Sequence, residues 1–177
     1  MATSAPAVIA FGDVEQVVLV DYLSTIYAVC LRSGSQVSLH RDGDNPELFT
    51  NLPFGGSKDK IGAQIIGSIL HLVWSTGGNV LHARWDMVAL AVDKAPTPEF
   101  VGTRPALTLG QSQSKLLCHY ISATGNHESR GSTNGGDAWE AAFTIDTKVS
   151  TNIDDVDVNI SPLSDTKASW DNAKKAT

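Results

Sequence analysis

Val14-Glu15-Gln16-Val17-Val18-Leu19-Val20-Asp21-Tyr22-Leu23-Ser24-Thr25-Ile26-Tyr27-Ala28-Val29-Cys30-Leu31 is the most apolar stretch of the chain, and its reading decides the fold. Val17, Val18, Val20, Ile26 and Val29 are β-branched, which favours a buried strand or a strand pair broken near Asp21. Val18, Tyr22, Ile26 and Cys30 also share one helical face, so the competing fold is α+β, with helices at 14–31 and 58–74. The flanking sequence favours strands. Ser33-Gly34-Ser35 makes a turn, Gln36 to Leu39 reads as a short strand, and Arg41 to Pro46 is turn chemistry throughout.

Further along, Ile69 to Trp74 runs into Thr76-Gly77-Gly78-Asn79, the composition of a hairpin tip. Beyond it His82, Arg84 and Asp86 alternate with Ala83, Trp85 and Met87, a period of two. Val88 to Val92 is apolar on both parities, which predicts cover on both faces. Before the hairpin, Ser57 can cap a short helix over 58–68, since Ile61, Ile65, Ile69 and Val73 recur every four residues. Gly62 and Gly67 oppose it by about 1 kcal/mol each. Pro96, Pro98 and Pro105 make 93–105 an extended connection. Leu107 to Leu109, Leu116 to Ile121, Trp139 to Val149 and Val156 to Ile160 read as strands, and Ser169 to Thr177 as a helical turn around Trp170.

The expected fold is therefore mainly β: one domain over 1–177, an antiparallel sandwich or jelly-roll-like body with a short helix. Residues 1–12 form an N-terminal arm and 161–177 a C-terminal tail.

Composition narrows the function. The 177 residues carry 13 Lys or Arg and 19 Asp or Glu, a formal charge of -6, and only 18% charged residues. Ser, Thr, Asn and Gly together number 54, so surface polarity comes mostly from hydroxyls and amides. No basic cluster supplies the charge that nucleic-acid binding needs. No apolar run approaches the roughly 20 residues of a membrane span, and the N-terminus reads as lacking a signal peptide. Cys30 and Cys118 sit in apolar contexts with no metal or redox spacing, which predicts two buried reduced thiols. The sequon Asn159-Ile160-Ser161 has no secretion signal to make use of it.

Four candidate sites follow from residue chemistry. Asp42 and Asp44 in the 41–46 turn, and Asp155 and Asp157 on one face of a strand, place paired carboxylates that could hold calcium; otherwise no cofactor is expected, and the plainer reading of the turn is a solvated bend. The glycine-rich stretch 124–137 reads as a long loop. With Trp139 it supplies Asn126, His127, Arg130 and Asp137, side chains that hydrogen-bond a glycan while an aromatic ring stacks on it. His71 and His82 sit on opposite arms of the hairpin and could face each other, with Asp86 as a third metal ligand. No nucleophile elbow, phosphate loop or zinc helix occurs.

The leading expectation is a non-enzymatic, self-assembling structural protein: a viral or phage capsid, decoration, tube or filament subunit. Its partner is itself, and its place the virion or the cytoplasm. Low charge fits surface that other protein covers. From Asp137 onward acids outnumber bases 8 to 4, so an outer or cargo-free shell fits better than a genome-packaging coat. The alternatives are a lectin-like β-sandwich and a small hydrolase or metal-dependent enzyme.

Overall fold

The computed structural model describes residues 13–42, 50–110 and 114–147, together with the backbone of two strands at 153–159 and 167–172. The decisive stretch is a hairpin, β1 (Val14–Tyr22) and β2 (Thr25–Arg32), broken at Leu23–Ser24 just beyond Asp21. A single 3-10 turn at Ser33–Ser35 leads into β3 (Gln36–Arg41), and β4 (Thr50–Leu52) completes an antiparallel sheet in the order β1-β2-β3-β4. A second sheet runs β5 (Ile61–Ile66), β6 (Ile69–Thr76), β7 (Asn79–Asp86), β8 (Ala91–Val101). The third contains β9 (Thr103–Leu109), β10 (Leu116–Ile121), β11 (His127–Ser132) and β12 (Phe143–Asp146), in the order β12-β11-β10-β9. A separate hairpin joins β13 (Ile153–Asn159) to β14 (Lys167–Asn172). Among the described residues no helix is long and apolar enough to cross a membrane.

The protein is mainly β and sandwich-like, with the second sheet buried on both faces. Leu70, Leu72, Trp74, Ala83 and Trp85 turn one way, into a core shared with Val29, Leu31, Val37, Leu39 and Phe54 of the first sheet and its loop. Val73 and Val80 turn the other way, against Leu107, Leu116, Cys118 and Tyr120 of the third. Strand alternation delivers both sets from the same β6–β7 hairpin. That double burial is why its apolar pattern is nearly continuous rather than strictly alternating. Cys30 and Cys118 are buried free thiols, as their contexts predict. Burial holds the Cys30 thiol up at about 11, so it is protonated and inert at neutral pH.

Several expectations are corrected. No helix occupies 58–68, and neither 14–31 nor 58–74 is helical: Ile61–Ile66 is β5. A spacing of four is also a multiple of two, so Ile61 and Ile65 share one face of a strand as readily as of a helix. Packing decides between them at Gly62. A Cβ there would lie 2.8 Å from the Leu107 nitrogen, so glycine lets β9 cross close over β5. Residues 93–105 are not a connection but the greater part of β8 and the start of β9. Pro96 and Pro98 are tolerated because β8 is the edge of its sheet and its register with β7 is bulged. The 124–137 stretch is not one loop, since its middle is β11. Val88 and Leu90 are exposed at the β7–β8 turn rather than covered. The strand expected over 139–149 begins only at Phe143, with 148–149 outside the described residues, and Lys167–Asn172 is a strand where a helical turn was expected around Trp170. The N-terminal arm and most of the C-terminal tail lie outside the described residues.

Two polar devices join the layers. At a bulge in β1, the Gln16 amide imitates a strand backbone toward Ile61. Its Nε2 donates to the Ile61 carbonyl at 2.9 Å and its Oε1 accepts the Ile61 N–H at 2.8 Å. Lys58, expected to open a helix, is instead buried. Its Nζ donates to the carbonyls of Phe54 (2.6 Å), Gly56 (2.9 Å), Ser35 (3.0 Å) and Gly55 (3.2 Å), and lies 5.1 Å from the Trp74 ring centroid. Burial lowers its pKa, while four carbonyl acceptors stabilise the ammonium. Lys58→Met keeps the stem and removes the charge. The expected loss is about 1–3 kcal/mol, that of leaving the carbonyls unpaired, read from a urea midpoint. A midpoint unchanged from wild type would show that water replaces the ammonium without penalty.

Candidate functional site

The densest polar cluster lies where the second sheet meets the third. His71 on β6 and His82 on β7 are diagonal neighbours, since Val73 pairs with His82 and His71 with Arg84. Their rings stack at 5.4 Å with planes 3° apart, and His71 Nδ1 lies 3.2 Å from His82 Nε2. One imidazole therefore donates to the other, which requires the accepting ring to be neutral. Around them Lys94 Nζ bonds Glu99 Oε1 at 2.8 Å and approaches His82 Nδ1 at 3.5 Å. Glu99 also accepts from the Thr97 hydroxyl, at 2.8 Å.

Residues 133–139 close over this cluster. The Ser132 hydroxyl accepts the Gly136 N–H at 2.8 Å and donates to Asn134 Oδ1 at the same distance. The Gly135 carbonyl accepts from Arg84 at 3.1 Å and the Gly136 carbonyl from Lys94 at 2.9 Å. Arg84 is further paired with Asp137 at 2.9 Å and Asp93 at 2.6 Å. Both glycines have positive φ (+68° and +80°), and Gly136 lies directly on the His82 ring, leaving no room for a side chain. Trp139 stands edge-on to His82 and to Phe100, each at 5.7 Å.

Burial pushes His71 down to about 4, helped by Arg84, and His82 down to about 3, helped by His71 and Lys94. A second pair, His119 and His127, sits on the far face of the third sheet with rings 5.9 Å apart; burial holds His119 near 4. The His71–His82 cluster is a closed network that locks the second sheet to the residues following β11. The expected pairing of His71 with His82 is present. Asp86, the proposed third ligand, instead accepts the backbone N–H groups of Val88 (2.7 Å) and Ala89 (2.9 Å). Among the described residues no three His, Cys, Asp or Glu side chains converge on a metal-sized site.

The proposed glycan residues are engaged internally and do not form one site, since His127 and Arg130 lie on opposite faces of β11. Asn126 forms the β10–β11 turn through its backbone bonds with Ser122, and His127 is buried on β11. Arg130 donates to Tyr120 Oη (3.1 Å) and the Glu140 carbonyl (3.2 Å) and lies over the Phe100 ring. Asp137 holds Arg84, and Trp139 packs on His82. Of the carboxylates suggested for calcium, Asp42 is exposed just past β3, and Asp44 lies outside the described residues. Asp155 and Asp157 are two apart on β13, of which only the backbone is described.

Sequence reasoning missed Lys94 and Glu99, because a segment with two prolines reads as a connection rather than as the strand beside His82. It also missed a cavity of about 360 Å³ on the third sheet. No family model matches the chain, and a search of curated proteins finds no relative.

Proposed function

We propose that this protein is a non-enzymatic subunit that assembles with copies of itself into a viral or phage shell, decoration, tube or filament. The observation that carries this reading is Leu23, at the tip of the β1–β2 hairpin. It is 80% exposed, and its φ is +51°, with Ser24 at +60°. A two-residue turn of that shape suits Asn-Gly and disfavours a γ-branched apolar residue. Strain and exposure together suit an anchor kept for a contact with another molecule. Leu19 (67% exposed), Val17 and Ile26 extend the same apolar ridge along the outer face of the hairpin. A second apolar group, Val88 and Leu90, marks the β7–β8 tip. With so few charges, such ridges favour protein partners over bulk water. A place in a virion, or in the cytoplasm where one is built, accords with it.

The replacement Leu23→Asn with Ser24→Gly separates assembly from folding. It relieves the strained turn, so monomer stability should rise by about 1 kcal/mol. Sedimentation velocity and negative-stain microscopy should show assemblies for wild type and their loss in this variant. Wild type sedimenting as a monomer at high concentration would remove the proposal.

A further inference from the structure

We propose that the cavity on the outer face of the third sheet binds a small, uncharged molecule with an apolar, ring-like body and one hydroxyl or amide group. This inference goes beyond self-assembly and stands or falls separately from it.

The cavity is built by alternate residues of three adjacent strands. Leu117 and His119 of β10 lie opposite Gly131 and Ser129 of β11, and Ser129 lies opposite Phe143 of β12, with Ile145 beyond. The inward parity of β10, Leu116, Cys118 and Tyr120, is spent on the core, so this outward row is a second surface of the same strands. Phe143 is 70% exposed on an edge strand and lines the cavity. The volume of about 360 Å³ falls within the usual size of small-ligand pockets, about 300–1,000 Å³.

Charge selects the ligand class. Lys115 and Glu140 line the cavity and neutralise each other, with Nζ 2.8 and 2.6 Å from the two carboxylate oxygens. Their pair lies across Gly131, where a Cβ would collide with the Lys115 stem, so the glycine admits the ion pair into the wall. His119 is neutral at pH 7, and Ser129 adds only a hydroxyl. The lining thus carries no net charge to attract an ion. It does carry one neutral hydroxyl, that of the half-buried Ser129. His119 offers only its carbon face, since its Nε2 is bonded to the Thr108 hydroxyl at 3.3 Å and its Nδ1 is sealed from solvent. A ligand hydroxyl or amide group would pair with Ser129 while the apolar body lies against Leu117, Phe143 and Ile145.

The test uses the neutral fluorophore N-phenyl-1-naphthylamine and the full chain. Wild type should bind one equivalent saturably, with a rise in emission. Ala141→Trp, a change at an exposed rim position, fills the cavity and should abolish binding. Phe143→Ser removes the ring wall and should weaken it by about three- to tenfold. The Leu23→Asn, Ser24→Gly chain should bind as wild type does, whatever its assembly state. Absence of saturable binding, or undiminished binding by Ala141→Trp, overturns the proposal.

Discussion

Gly136→Ala should lower stability by about 2–5 kcal/mol, while Gly135→Ala beside it should cost only about 1–2 kcal/mol. Both residues have positive φ, +80° and +68°, so both substitutions strain the backbone. They differ in what the added methyl group meets. At Gly135 it makes ordinary contact with Arg84 and His71 at 3.5 Å, whereas at Gly136 it is driven into the His82 ring. Neither side can yield easily. His82 is held by His71, and the Gly136 backbone is held by Ser132 and Lys94 at its two ends. Thermal unfolding of the pair isolates the clash from the backbone strain, since a chain of this size loses about 2–4 °C per kcal/mol. Equal midpoints for the two variants would mean that residues 133–139 do not pack on the histidines.

Acidification should produce the second large effect. All five histidines of the chain are 3% exposed or less. Burial lowers the pKa of each, to about 4 for His71 and His119 and about 3 for His82. The unfolded chain takes up these protons near pH 6.5, before the folded chain can. The stability of the neutral, buried form is therefore fully present above pH 6.5. It is lost as pH falls from 6.5 toward 4, at about 1.4 kcal/mol per pH unit for each histidine. At His71 and His82 the charges facing the pair are Arg84 and Lys94 on one side and Asp93, Glu99 and Asp137 on the other. The two cations reinforce the downward shift, and the carboxylates offset it only in part. Urea titrations across pH 7 to 4.5 should show the uptake of about three protons on unfolding, the number of histidines held at 4 or below. A slope of one proton or fewer would refute the account, and His119→Gln should remove one of the three.

Much of the architecture was legible in the chain. The tip at Gly77–Gly78, the alternation across 82–87 and the β-branched content of 14–31 are local features, and each led to the observed strands. The pairing of His71 with His82 was legible too, because a hairpin with a two-residue tip sets which residues meet. What failed were segments whose local pattern is degenerate. Ile61, Ile65, Ile69 and Val73 satisfy helix and strand alike, and only the approach of β9 over Gly62 selects the strand. The prolines of β8 say only that it cannot be a central strand, and whether it becomes an edge or a connection depends on β7 beside it.

For the candidate sites the division is the same. Residue type and turn chemistry determined a weakly charged, mainly β chain with buried thiols and a histidine hairpin. The tertiary structure decided that Trp139 and Arg130 pack inward rather than stand open to a ligand, that Lys58 sits in a cage of carbonyls, and that Leu117, His119 and Phe143 share a cavity wall. Local sequence specifies which bonds a residue can make, through its side-chain chemistry and strand period. Which of them it does make depends on groups distant in the chain, such as the Gly136 carbonyl that meets Lys94 only once the sheets have stacked.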